Sequence, residues 1–322
     1  MGFFWFCAGL LLLVAGAELI VRGASYVAAR MGISPMVIGL TIVALGTSAP
    51  ELAVGITAAR MGNGGLAVGN IAGTNVFNLL FILSLSALIK SLALHVQIFR
   101  LELPMIVLAA GLMLGLGLDG TLSRADGAIM LAAGITYTAG LYYVTRSAPP
   151  VEKKEFREEY DVKSEKQPPG SFFLHLVMLV AGIALSVVGA NWLVDGSSSL
   201  ARAFGVSETI IGLTIVAMGT SAPELVTTLV STWRDDRDVA VGNLLGSSIY
   251  NILGILALTC LFSKNGLPVE RDLMLFDVPL MALVAFGAVP IFLTGNRISR
   301  REGGAGVVLF LAYMSWLVFF RA

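Results

Sequence analysis

Two glutamates, Glu51 and Glu224, stand in the middle of long apolar stretches. Each is preceded by the same five residues, Gly46-Thr47-Ser48-Ala49-Pro50 and Gly219-Thr220-Ser221-Ala222-Pro223. An ionisable side chain at that depth in a bilayer is costly, and such residues mark ion or proton paths. The proline is a second device. It has no N–H, and its ring clashes with the carbonyl four residues back, that of Gly46 or Gly219. The helix should open there and free the backbone oxygens from Leu45 to Thr47. A carboxylate beside freed carbonyls and hydroxyls forms an all-oxygen nest, which hard cations such as Ca2+ and Na+ prefer.

Helical residues three and four apart share a face. Thr47 and Ser48 therefore share one with Glu51, and Thr220 and Ser221 share one with Glu224. In the next apolar segment Asn70, Thr74 and Asn78 form a polar stripe, mirrored by Asn243, Ser247 and Asn251. Taken singly, such hydroxyls and amides often serve only as glue between membrane helices. Two glutamates after proline in duplicate motifs are what point to ion binding. Gly69, Gly73, Gly242 and Gly246 read as packing residues. Glu18 reads as an interfacial side chain that could tune a gate. Asp119 and Asp195 read as helix-end residues, and His95 and His175 lack metal-ligand spacing. Cys7 and Cys260 read as buried, inert thiols.

The elements that hold these residues follow from composition. Of 322 residues, 57% are hydrophobic and 13% charged, against roughly 25% charged in a soluble domain. Mean hydropathy is +0.86. The apolar runs are continuous rather than alternating, which predicts an all-α integral membrane protein and excludes a barrel. The net charge of zero carries no basic patch for nucleic acid. About ten transmembrane helices of roughly 20 residues are expected, the first retained rather than cleaved because no positive region precedes it. The second and seventh should be broken at Pro50 and Pro223. Residues 146–170 are polar and read as a solvated linker.

The chain is doubled. Glu51 and Glu224 are 173 residues apart, and from Gly39 to Leu52 every residue but Leu45 recurs 173 positions later, where Met218 stands for it. The expected halves are 1–145 and 171–322. Five helices in each would start the second half on the opposite side of the membrane, the inverted plan of many secondary transporters. Counted by loop, 15 Lys and Arg fall on one face and 6 on the other. The richer face should be cytoplasmic, with both termini outside.

At these motifs the chain resembles the calcium/cation antiporter superfamily, and within it the prokaryotic sodium/calcium exchangers. The doubled Gly-Thr-Ser-Ala-Pro-Glu blocks resemble its alpha repeats, as do residues 69–78 and 242–251. The resemblance implies a plasma-membrane antiporter, not an enzyme, that uses no cofactor and requires no protein partner. Its cargo would be Ca2+ and Na+. It assigns Glu51 and Glu224, with the Thr47 and Thr220 carbonyls, to a central Ca2+ site. Na+ sites would use the Ala44 carbonyl, Ser48, Glu51 and Ser247 on one side, and the Ala217 carbonyl, Ser221, Glu224 and Thr74 on the other. Asn78 and Asn251 would line the middle, and the first and sixth helices would slide across the rest. Relatives often carry Asp where Asn251 stands. That departure leaves the Na+ count open between two and three, and points toward independence from K+. A proton/calcium antiporter is the alternative. An intramembrane acid-pair hydrolase is remote, since no base stands near Ser48 or Ser221 in sequence. A channel would not need inverted broken helices.

Overall fold

The computed structural model describes residues 2–31, 35–93, 101–146, 171–203, 217–293 and 297–320. Among these, six helices are long and apolar enough to cross a membrane. A seventh span results if Gly39–Thr47 and Ala49–Met61, bent by 51°, count as one. The protein is an all-α membrane protein. Except for Arg146, the expected linker lies outside the described residues, and so does His95.

The principal helices are α1 (Gly2–Met31), α2 (Ala49–Met61), α3 (Gly64–Val76), α4 (Leu103–Leu116), α5 (Arg124–Arg146), α6 (Ser171–Ala203), α7 (Ala222–Trp233), α8 (Arg237–Tyr250), α9 (Val278–Leu293) and α10 (Arg300–Phe320). The breaks fall at Ser48 and Ser221, whose φ,ψ of −82°,12° and −88°,9° leave the helical range. Each proline takes the second position of the helix that follows, where a missing N–H costs nothing. The α2–α3 turn uses Gly62 at φ 70°, and its counterpart 173 residues on, Asp235, has φ 68°. Lys90 hydrogen-bonds the exposed Asp235 at 2.8 Å and, with Arg237, holds its carboxyl below the usual range.

The doubling extends to irregular backbone. Both α3 and α8 run on into π-helical turns, Phe77–Ile82 and Asn251–Leu256. Two short antiparallel ribbons repeat the theme: Leu92–Ala93 pairs with Arg297–Ile298, and Thr121–Leu122 pairs with Leu267–Pro268.

The spans containing α3 and α8 form the interior, with 72% and 83% of their central windows buried. The windows in α1 and α6 are only 33% and 22% buried, so these two lie at the periphery. They pack on each other along glycines seven apart, Gly2 facing Gly196, Gly9 facing Gly189 and Gly16 facing Gly182, with Gly23 against His175 and Leu179. A Cβ at Gly9 would stand 2.5 Å from the Leu193 nitrogen, and one at Gly196 2.3 Å from the Phe6 nitrogen. In lipid such small residues let backbones approach where apolar burial gives no drive. Trp5 packs edge-on against Trp192 near one end, and Tyr26 stacks on His175 near the other.

The packing is lopsided. Helix α1 lies along α7, whereas its counterpart pair, α6 and α2, is not closely packed among the described residues. A cavity of about 370 Å³ opens instead beside α6, lined by Val54, Ala190, Asn191, Val194, Asp195, Gly219 and Thr220. Asp195 is therefore no helix-end residue: α6 runs eight residues beyond it, to Ala203. Glu18 is tied as well, accepting from Arg22 on α1 and from Arg234 at the end of α7.

Candidate cation site

The broken helices put the two motifs face to face. Ser48 donates to Glu224 Oε1 at 2.9 Å, and Ser221 donates to Glu51 Oε1 at 3.1 Å. Each half thus holds the other's carboxylate. Both glutamates and both serines are fully buried. Their proximity follows from the breaks, which turn the first residues of α2 and α7 toward α3 and α8.

The polar stripes close around this pair. Ser247 reaches Glu224 Oε1 at 3.4 Å and the Ala44 carbonyl at 3.5 Å. Ser221 also reaches Thr74 Oγ1 at 3.4 Å. Thr47 donates to Asn243 Oδ1 at 3.2 Å. Asn251 Nδ2 donates to Asn75 Oδ1 at 3.2 Å, and Asn75 Nδ2 to the Ser248 carbonyl at 3.0 Å. Asn78 and Asn251 sit at matching π-helical turns, a device common at functional positions because it re-aims one side chain. Thr220 is 7% exposed and lines the cavity, which therefore reaches the edge of the site. Ala217 opens the short helix Ala217–Thr220.

The unpartnered atoms decide what the site can hold. Glu51 Oε2, Glu224 Oε2, Asn78 Oδ1 and Asn251 Oδ1 are buried acceptors with no hydrogen-bond donor among the described residues. Buried acceptors left open are costly, and a cation is a guest that such oxygens can bind. Two carboxylates, amide oxygens and hydroxyls fit a hard cation.

Sequence reasoning passed over several buried polar residues. Asn75, within residues 69–78, ties α3 to α8. Glu102, beside Pro104, is fully buried and accepts from the Tyr137 hydroxyl. Its place immediately before an apolar run was the available signal. Thr227, Thr228 and Ser231 follow Glu224 at helical spacing and are fully buried. Of the four motif glycines, Gly246 meets the Leu40 backbone as a packing residue does. A Cβ at Gly73 would touch nothing within 4 Å, so packing does not require glycine there.

A doubled helical bundle with two carboxylates and a ring of hydroxyls and amides buried at its centre has the make-up of a membrane cation carrier. The chain belongs to the sodium/calcium exchanger family, whose model, described as sodium/calcium exchanger protein, matches residues 1–143 and 174–319. It is 32% identical over 311 residues to the inner membrane protein YrbG of Escherichia coli, covering 96% of this chain and 93% of that one. It is 30% identical over 339 residues to the sodium/calcium exchanger MaX1 of Methanosarcina acetivorans, covering 96% and 95%. Among solved structures, the sodium-calcium exchanger NCX_Mj superposes with a TM-score of 0.83 at 29% identity, covering 100% of this chain and 99% of that one. The protein is a membrane cation antiporter of this family.

Proposed function

We propose that the protein exchanges Ca2+ for Na+ across the plasma membrane at a single site centred on Glu51 and Glu224. The crossed serine–glutamate bonds carry this reading. They tie each carboxylate to the other half's serine while leaving one oxygen of each without a hydrogen-bond partner. Ca2+ would take Glu51 and Glu224 with the Thr47 and Thr220 carbonyls. Na+ would take the hydroxyls of Ser48, Ser221, Thr74 and Ser247, the same two glutamates, and the Ala44 and Ala217 carbonyls. Asn78 and Asn251 would line the middle. Both ions need the same glutamate oxygens, so one leaves as the other enters. Without a cation two buried carboxylates face each other, and that repulsion disfavours crossing empty. The names of MaX1 and NCX_Mj, both sodium/calcium exchangers, support Na+ as the coupling ion. The two five-helix halves would be related by inversion, with the face bearing Lys90, Arg234 and Arg237 in the cytoplasm.

Flux in proteoliposomes, with Na+, K+ and H+ gradients imposed one at a time, tests this. Ca2+ uptake should follow the Na+ gradient alone. Uptake driven by a pH step without Na+ would replace the reading with proton/calcium antiport.

Stoichiometry has an electrical signature. A tenfold Na+ gradient supplies about 1.4 kcal/mol per ion. Three Na+ per Ca2+ would move one surplus charge, worth about 2.3 kcal/mol at 100 mV. With Asn251 in place of a third acid, the cage holds two negative charges and balances one Ca2+ or two Na+. Two-for-one exchange is therefore expected, and Ca2+ flux under a clamped potential should carry no net current. A current of one charge per Ca2+ would show three Na+ moving.

A further inference from the structure

The two halves match closely at the cage and then part. Along α7, Thr227, Thr228 and Ser231 stand three, four and seven residues after Glu224, on the face that Glu224 occupies. The positions 173 earlier on α2 are Val54, Gly55 and Ala58. The face of α7 that continues from Glu224 thus carries hydroxyls, and the matching face of α2 carries only Val54, Gly55 and Ala58.

Among the described residues, buried hydroxyls without a hydrogen-bond partner also occur singly, at Ser25, Ser86, Ser186 and Ser248; only on α7 do three stand together on one helix face. The default for Ser or Thr in a membrane helix is to donate to the carbonyl four residues back. Thr41, Thr136, Thr138, Thr232 and Thr259 all do so, at 2.6–2.8 Å. Thr227, Thr228 and Ser231 do not. Each is 0% exposed, and each hydroxyl oxygen has no hydrogen-bond partner among the described residues. Three adjacent orphaned hydroxyls within one turn and a half form a row of open oxygen ligands. The row leads from Glu224 toward Arg234, where Glu18 and Arg234 join α1 to α7. The cavity is lined instead by Val54, on the matching face of α2.

We propose that Thr227, Thr228 and Ser231 form a transit site for Na+ on the route between Glu224 and the face bearing Arg234, a site the other half of the protein lacks. The ligands are neutral oxygens without a carboxylate. They suit a monovalent cation, whereas Ca2+ is held by sites rich in charged ligands. The inference rests on the Na+/Ca2+ reading and adds a difference between the faces: Na+ is handled stepwise on one side and directly at the cage on the other.

The test uses Thr227→Val, Thr228→Val and Ser231→Ala, singly and combined, with Ca2+ flux measured against Na+ concentration in membrane vesicles of both orientations. Removing an orphaned buried hydroxyl is neutral or favourable for folding, so the variants should assemble. In the triple variant the half-saturating Na+ on the Arg234 face should rise roughly tenfold, the equivalent of about 1.4 kcal/mol. The Na+ dependence on the Gly2 face and the Ca2+ dependence on both faces should stay unchanged. Thr228→Ser, which keeps the hydroxyl, should retain wild-type Na+ dependence where Thr228→Val does not. An unchanged Na+ curve on the Arg234 face, or an equal shift on both faces, overturns the transit site. Wild-type flux that ignores Na+ altogether would instead sink the exchange reading, and with it this proposal, before any variant is compared.

Discussion

Na+-driven Ca2+ uptake should be abolished in Glu51→Gln and in Glu224→Gln, while each protein should still fold and insert. The substitution keeps shape and one acceptor oxygen, so Ser221 can still donate at position 51 and Ser48 at position 224. Only the charge is lost. Removing one charge from a buried charged cluster typically costs about 3–5 kcal/mol, which is roughly two to four decades in affinity. The cage then holds one negative charge against a divalent guest, and Ca2+ has no reason to leave water. Folding should not suffer, because the unloaded cage sets two buried carboxylates against each other and either substitution relieves that repulsion. Isotope uptake into vesicles, normalised to folded protein by size exclusion, reads this. Wild-type uptake in either variant would remove that glutamate from the site.

Gly16→Leu and Gly189→Leu should each stop transport by a different route, prising apart α1 and α6. A single Cβ at Gly16 would stand 2.4 Å from Ser186 Oγ and 2.7 Å from the Gly182 carbonyl, and one at Gly189 2.8 Å from the Leu13 nitrogen. These neighbours are largely backbone and cannot swing aside. Overpacking costs about 1–3 kcal/mol where a site can adjust, and two helix backbones in contact adjust poorly. The resemblance to the antiporter superfamily implies that α1 and α6 move together across the other helices. A separated pair would lose both its seat and its common motion. Gly111→Ala is the control, since a Cβ there meets nothing within 4 Å. Melting temperature and flux should fall in the Leu variants and hold in the control. Wild-type melting and flux in Gly16→Leu would show that close approach is dispensable.

The centre of this protein was legible from the chain alone because its signals are local. Proline after Gly-Thr-Ser-Ala in an apolar run announces a break, and its recurrence 173 residues on announces a second half. Even so the break falls at Ser48 and Ser221, two residues before the prolines, because a proline is best placed inside the start of the following helix. The reach of α1 and α6 was less legible. Glu18 and Arg22 interrupt the apolar run, yet they pair with each other and with Arg234, so the helix continues to Met31. The π-helical turns at Asn78 and Asn251 leave no mark in hydropathy; they are settled by how α3 and α8 pack. Cross-links such as Asn75 to the Ser248 carbonyl, or Tyr137 to Glu102, join residues far apart in sequence and appear only once the bundle is assembled. The glycine spacing of seven was visible in the chain, but its meaning depended on knowing that α1 and α6 are partners.

Equilibrium binding of 45Ca2+ to purified protein, with Na+ as competitor, tests most directly whether Glu51 and Glu224 together hold the cation. One Ca2+ should bind per chain, Na+ should displace it completely, and the Glu51→Gln/Glu224→Gln double variant should bind none. One tightly held, Na+-displaceable Ca2+ in that double variant would contradict the account.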